Sequence, residues 1–118
     1  MLERSDPFTV EVTFLVPERV PGLDLSIYVQ TLNGIRIIDE AWSDRGADIA
    51  AGRFTARLTV PALLNVGNFS VGVWMGTGFE ELFWRDDVLS FRLEGDTQAR
   101  TERLLQLSIP WEMAEDGR

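Results

Sequence analysis

Apolar side chains alternate with polar ones along much of the chain, and no segment keeps a helical period of 3.6 residues. The clearest run extends from Phe8 to Val16, with an apolar residue at every second position, and Pro17 ends it because proline lacks the N–H that a strand ladder needs. In the next run, Leu23, Leu25, Ile27 and Val29 lie on one side of the strand and Asp24, Ser26, Tyr28 and Gln30 on the other. The pattern predicts an all-β protein.

The pair Asn33-Gly34 follows the second predicted strand and is the strongest local turn signal in the sequence. Asn-Gly suits the positive φ angles of a type I′ hairpin turn. With a two-residue loop, Gln30 faces Ile37 and Val29 faces Ile38. Continuing that register, we expect Trp42 to lie in the core.

Two further strands follow a polar loop over residues 43–52. Pro61 ends the first of them, and we expect residues 62–67 to form a turn, or one helical turn stopped by Gly67. Additional strands are expected near Leu89–Leu93 and Leu105–Ile109. The predicted inward residues are Phe54, Ala56, Leu58 and Val60 on one strand and Phe69, Val71, Val73 and Met75 on the next. Seven to eight short strands separated by Gly and Pro predict an antiparallel β-sandwich.

Trp74 is the candidate binding residue, because the alternation directs it away from the core together with Ser70 and Gly72. An exposed indole beside the space left by Gly72 can stack on the apolar face of a sugar. We expect the preceding strand to be its neighbour and to add hydroxyl and guanidinium donors from its own outer face. The predicted carbohydrate-binding residues are Trp74, Arg57, Thr55, Thr59, Ser70, Tyr28 and Gln30.

A structural interpretation stays open beside this one. An outward tryptophan can be covered by a loop, a terminal segment or a second subunit. For Tyr28 and Gln30 taken alone, an ordinary solvated strand face is the better interpretation.

Composition narrows the function classes. The chain has 118 residues and a formal net charge of −8, which fits one domain over residues 1–118 and disfavours nucleic acid and bare anionic membranes. All basic residues are arginine, and the absence of His, Lys and Cys removes the usual catalytic triads and thiolate metal sites. We expect no cofactor and no enzyme activity.

Two acidic pairs are candidates for chemical sites. Asp86-Asp87 lacks the spaced oxygen ligands of a metal site, so a solvated turn is the better interpretation, and we expect no metal. Glu80-Glu81, paired with a distant carboxylate, would suit glycoside hydrolysis, but nothing in the sequence fixes the separation of such a pair.

Three motifs in order carry a family resemblance: Gly52 to Phe54 (GRF), Val60 to Leu64 (VPALL) and Gly67 to Phe69 (GNF), followed by an alternating strand. Together they resemble the C-terminal domain of the nucleotide-binding subunit of O-antigen polysaccharide ABC exporters, the Wzt type. The resemblance covers about residues 8 to 111, ending with a late strand that leads to Trp111.

The resemblance implies an immunoglobulin-like sandwich that binds finished O-antigen polysaccharide, often at its capped non-reducing end. It also implies a dimer at the cytoplasmic face of the bacterial inner membrane, where the ATPase portion and the membrane permease of the exporter are its partners. It transfers no individual binding residue, because these vary with the glycan.

The main functional expectation is a lectin-like domain that delivers polysaccharide to the exporter and changes no covalent bond. The alternative is a structural or dimerisation module whose outer face, with Ile35, Ile37 and Trp74, packs against another subunit. In either case, the polar stretch Gly95–Glu102 is a possible hinge. The following strand, Arg103–Ile109, then either exchanges between subunits or folds back on its own sandwich.

Overall fold

The computed structural model describes residues 2–46, 48–95, 103–107 and 109–115. The described residues form seven β-strands and one three-residue 3-10 turn at Trp42–Asp44. The strands are β1 (Leu2–Glu3), β2 (Phe8–Val16), β3 (Asp24–Thr31), β4 (Arg36–Ala41), β5 (Gly52–Val60), β6 (Gly67–Gly76) and β7 (Glu81–Glu94). The all-β sandwich predicted from the alternating pattern is confirmed.

The strands form two sheets of unequal size. The larger has the order β1-β7-β6-β3-β4, and the smaller contains only β2 and β5. Every pairing is antiparallel except that of β1 with the end of β7. The sides of the two sheets that face each other carry the apolar positions of the period-two pattern. They form one buried cluster, with Val10 and Val16 from the small sheet and Leu25, Ile27, Val71 and Val73 from the large one.

The β3–β4 hairpin forms where Asn33-Gly34 predicted it, but its loop has three residues. Gly34 N–H donates to the Thr31 carbonyl, and Thr31 N–H donates to the Ile35 carbonyl. Gly34 takes a φ of 90°, as the last residue of such a loop requires. Val29 faces Ile38 as expected. The expected pairing of Gln30 with Ile37 is wrong, because Gln30 faces Arg36 after a register shift.

Trp42 is not in the core. β4 ends at Ala41, and the 3-10 turn that begins at Trp42 takes its side chain out of the strand register. The indole is 46% exposed. The expectation that it continues the inner face is therefore wrong.

Residues 61–66 contain no helical turn, and Gly67 is the first residue of β6. Leu64 and Asn65 are buried there, and Leu64 forms an isolated bridge with Leu105. The predicted strand Leu105–Ile109 is thus reduced to this bridge in the described residues. The predicted hinge lies almost wholly in residues 96–102, outside the described residues.

The long strand β7 carries a bulge and an open edge. Val71 pairs with Leu89 and Val73 pairs with Arg85, so residues 86–88 of β7 are opposite Gly72 alone. Because β1 reaches only the last two residues of β7, residues 81–90 form an exposed edge of the large sheet.

The connections gather at two ends of the sandwich. Residues 17–23, the β4–β5 connection and residues 77–80 meet at one end, here called the upper end, where Gly22, Trp42 and Thr77 line one cavity. The β3–β4 hairpin and residues 61–66 lie at the other, lower end.

Candidate functional site

The outer face of the five-stranded sheet is the surface of that sheet turned away from β2 and β5. On it, Ser26, Tyr28 and Gln30 of β3 face Trp74, Gly72 and Ser70 of β6, respectively. Trp84 of β7 faces Trp74 from the other side. Trp74, Ser70, Tyr28 and Gln30 therefore share one face, as the alternation predicted. Ser70 is buried there, so the expectation that its hydroxyl is open to a sugar is wrong.

Tyr28 fills the space that glycine leaves on this face. A Cβ atom built on Gly72 lies only 2.1 Å from Cζ of the Tyr28 ring, so the phenol crosses directly over the β6 backbone. Only glycine permits this approach. The expectation of an open gap beside Trp74 at Gly72 is wrong.

A hydrogen-bond network fixes the Tyr28 ring from β7. The Tyr28 hydroxyl donates to the Asp86 carboxylate, and Trp84 Nε1–H donates to the Tyr28 oxygen at 2.7 Å. Gln30 Nε2 donates to the Asp86 carbonyl at 3.0 Å. The bulge at residues 86–88 brings Asp86 over the sheet so that both partners reach it.

This network corrects two expectations. Tyr28 is only 1% exposed and Gln30 is also buried, so their interpretation as a solvated strand face is wrong. Asp86 is exposed but lies in strand β7, where it accepts from Tyr28, so its assignment to a turn is also wrong.

The electrostatics of Tyr28 follow from its surroundings. Burial raises the pKa of the Tyr28 phenol above its ordinary 10.0, and the hydrogen bond to Asp86 raises it further because donation requires the neutral form. The Trp84 N–H and the Arg36 guanidinium lower that pKa, but the net direction is upward. Arg36 stacks on the ring with Cζ 3.7 Å from the centroid, a cation–π contact.

Two indoles lie beside this network. Trp84 is 53% exposed, although its Nε1–H is held by Tyr28. Trp74 is half-buried, and its Nε1–H donates to Glu81 Oε2 at 3.1 Å. The outer face thus presents aromatic rings in fixed orientations next to a carboxylate and a guanidinium. Rings supply a stacking surface, and the charged groups supply hydrogen bonds to hydroxyl groups.

Comparison with known proteins places the chain in a family. The family model described as the Wzt C-terminal domain matches residues 1–104. The chain belongs to the Wzt C-terminal domain family. A solved structure titled "Crystal structure of the C-terminal domain of wzt" aligns with a TM-score of 0.64 at 16% identity, covering 92% of this chain and 69% of that one. Among curated proteins, no sequence matches this chain.

Three predicted site residues of this Wzt C-terminal domain lie elsewhere. Thr55, Arg57 and Thr59 are on β5, whose one sheet neighbour among the described strands is β2. They lie on the exposed side of the small sheet, where Arg57 Nε donates to Glu11 Oε2 at 2.9 Å. The two threonine hydroxyls form hydrogen bonds with Thr13 and Thr9 across the strand pair. The expectation that β5 is next to β6 is therefore wrong.

The predicted carbohydrate-binding residues did not include Trp84, Asp86 or Arg36. A usable signal existed: a β6–β7 hairpin centred on Phe79 places Trp74 opposite Trp84. Asp86 then follows Trp84 by two positions, on the same side of the strand. The bulge that aims its carboxylate at Tyr28 has no comparable local signal.

Two further properties of this Wzt C-terminal domain concern metals and membranes. Among the residues that the structure describes, no group of three or more His, Cys, Asp or Glu side chains is arranged to hold a metal ion. None of the described segments is a helix with the length and apolar character needed to cross a bilayer.

Proposed function

We propose that this domain binds O-antigen polysaccharide on the outer face of its five-stranded sheet and changes no covalent bond in it. The observation that carries the proposal is Trp84, half of whose ring is exposed while its N–H is fixed by a buried tyrosine. Holding an exposed ring in one orientation lowers the entropy lost when a ligand stacks on it. Family membership supplies the ligand class.

The chemistry of the face suits a sugar chain. Trp84 and Trp74 offer apolar surface, and Asp86 and Arg36 offer an acceptor and a donor within the same patch. The face is open, so much of the ligand stays hydrated. We expect affinities on the order of micromolar to millimolar, about −4 to −8 kcal/mol.

In the exporter, the domain acts before transport. It recognises the completed glycan, including its capped non-reducing end, at the cytoplasmic face of the inner membrane. It then presents that glycan to the ATPase portion and the membrane permease. Recognising and presenting the glycan requires only that the domain bind it, which supports a non-catalytic role.

The test compares substitutions at Trp84. We expect Trp84→Ala to weaken binding of O-polysaccharide at least tenfold, equivalent to about 1.4 kcal/mol, in isothermal titration calorimetry. Trp84→Phe keeps a ring but loses the N–H, so it should retain part of the affinity.

Arg57→Ala is the matched control, because Arg57 lies on the small sheet and pairs with Glu11. It should bind as the unmodified domain does. Unchanged affinity in Trp84→Ala and Trp74→Ala, with both variants folded, would contradict the proposed face.

The same domain has surfaces that favour a homodimer, and we propose that the C-terminal segment exchanges between two copies. Apolar, exposed side chains stand at every second position of this segment, as in a strand with one face unpacked. They are Leu105, Leu107, Ile109, Trp111 and Met113. In the single chain, the start of this segment lies beside its own domain, where Asn65 N–H donates to the Leu104 carbonyl.

A groove between β2 and β7 fits such a strand. It has a volume of about 550 Å³ and is lined by apolar residues that include Val12, Phe14, Phe83 and Leu89. Both flanking strands present open edges there, because the small sheet ends at β2 and residues 81–90 of β7 have no second neighbour among the described strands. A partner's strand can pair with an open edge and bury its apolar side in the groove.

A further inference from the structure

A second cavity lies at the upper end of the sandwich, separate from the middle of the outer face. Its volume is about 320 Å³. Three connections contribute to it: Gly22 and Asp24 from the β2–β3 side, Trp42 and Ser43 from the β4–β5 side, and Thr77 and Gly78 from the β6–β7 side. Trp74 also lines it, so the cavity begins where the outer face ends.

Backbone contacts hold the two indoles of this cavity in place. A Cβ atom built on Gly46 lies 2.4 Å from Cζ2 of Trp42, and one built on Gly76 lies 2.7 Å from Cζ2 of Trp74. Each ring therefore packs closely on a glycine that no larger residue can replace without displacing it. Trp42 nevertheless remains about half exposed, so part of its ring is available to a ligand.

The polar side chains that line the cavity are the carboxylates of Asp24 and Asp48 and the hydroxyls of Ser43 and Thr77. Asp24 Oδ1 accepts from the backbone N–H groups of Leu25 and Ser43, both at 2.9 Å, which fixes the carboxylate beside Trp42. Asp48 also lines the cavity, and its carboxylate pairs with Arg19 at 3.3 Å. Among the described lining residues there is no arginine, and the guanidinium of Arg19 already pairs with Asp48, so an anionic group would meet the Asp24 carboxylate with no lining cation to offset it.

We propose that this cavity binds the terminal sugar of the glycan, and that this sugar is neutral and rich in hydroxyl groups. Fixed indoles provide stacking surfaces, while carboxylate and hydroxyl oxygens accept from sugar hydroxyls. Trp74 lies at the junction, so the chain continues past it to Trp84 on the outer face. The proposal rests on the proposed glycan-binding function and adds a separate subsite for the end group.

The test uses methyl glycosides as probes for a single terminal residue. The sequence has four tryptophans, so the indole N–H region of a ¹H–¹⁵N correlation spectrum reports Trp42, Trp74, Trp84 and Trp111 separately once single Trp→Phe variants assign the signals. Neutral methyl hexosides should shift the Trp42 and Trp74 signals, with dissociation constants on the order of millimolar. Methyl uronosides and sugar phosphates should shift them far less.

Gly78→Phe is designed to fill the cavity without strain. Nothing lies within 4 Å of a Cβ atom built on Gly78, so the ring has room where the ligand is expected. It should raise the dissociation constant of the neutral methyl hexosides about tenfold or more. Thr9→Phe, which adds the same ring on the exposed side of the small sheet, should leave it unchanged. Trp42→Ala, which removes one of the stacking rings, should also weaken binding of the neutral methyl hexosides.

The outcomes separate this inference from the proposed function. If longer O-polysaccharide fragments shift Trp84 while methyl glycosides leave Trp42 and Trp74 unmoved, the end subsite is wrong and the outer-face site survives. If methyl hexosides shift Trp42 and Trp74 but no fragment shifts Trp84, the end subsite stands and the outer-face site is wrong. Equal responses to neutral and anionic probes would overturn the proposed ligand class.

Discussion

At the scale of single residues, Tyr28 connects the fold to the candidate site. Its ring covers Gly72, its hydroxyl donates to Asp86, and it accepts the N–H of Trp84. One buried phenol therefore sets both the position of the β7 bulge and the orientation of the exposed indole.

The raised pKa of Tyr28 gives a pH prediction. Tyr28 is the only tyrosine in the sequence, so the near-ultraviolet absorbance of tyrosinate reports this residue alone. We expect its midpoint in the folded domain to lie above 10.0, and to return to about 10 in urea.

The raised pKa of Tyr28 also makes the free energy of unfolding depend on pH. The unfolded chain loses the phenolic proton first. Ionisation of Tyr28 therefore leaves the free energy of unfolding constant well below pH 10 and lowers it as pH rises from about 10 through the folded pKa. Tyr28→Phe should remove this part of the alkaline loss. A folded-state midpoint at or below 10.0 would contradict the burial and hydrogen bonding of the phenol.

Asp86 provides the complementary prediction. Asp86→Ala leaves the buried hydroxyl of Tyr28 without its acceptor and should cost about 1–3 kcal/mol in urea denaturation. Asp86→Asn keeps an acceptor oxygen and should cost less. If both variants unfold like the unmodified domain, the network does not hold the bulge.

At the scale of strands, alternation identified the inner sides of β2, β3, β5 and β6, because a period of two is a local property of the chain. Leu25→Ala removes a buried side chain of β3 and should cost about 2–5 kcal/mol. Leu15→Ala, on the outward side of β2, should stay within about 0.5 kcal/mol. Thermal denaturation of both variants checks the assignment, and similar losses would argue against it.

What alternation could not provide is the neighbour of each strand. β5 pairs with β2 across a long separation, so Arg57 and the adjacent threonines lie on a different sheet from Trp74. Tyr28 and Gln30 were assigned to the correct side of β3, but their burial depends on a bulge in a distant strand. Trp42 departs from the pattern because the strand ends one residue before it.

At the scale of the whole molecule, the two sheets are unequal, and the small one leaves apolar surface of the large one uncovered. The C-terminal segment carries matching apolar residues, and Trp111 is 88% exposed in the single chain. If a second copy covers these surfaces, Trp111→Glu combined with Ile109→Glu should shift the domain from dimer to monomer in light scattering.

The matched control for that experiment is Glu112→Gln, which changes a polar position of the same segment. It should leave the mass unchanged. A dimer that persists in the double variant would show that another surface holds the subunits together, with the outer face around Trp74 as the next candidate. Ile37, which the sequence analysis assigned to that face, packs instead against the buried cluster of Val29 and Leu64, so that part of the expectation is wrong.

The pairing of β2 with β5 also sets how fast the domain can fold. Phe8 faces Val60 and Val16 faces Gly52, so pairing β2 with β5 closes a long loop of chain that contains the whole β3–β4 hairpin. Closing that long loop costs chain entropy before any of its contacts are gained. Refolding should therefore take milliseconds to seconds, as in other sandwiches dominated by distant contacts. The hairpin at Gly34 is expected to form first, and the two sheets to close on each other in the rate-limiting step.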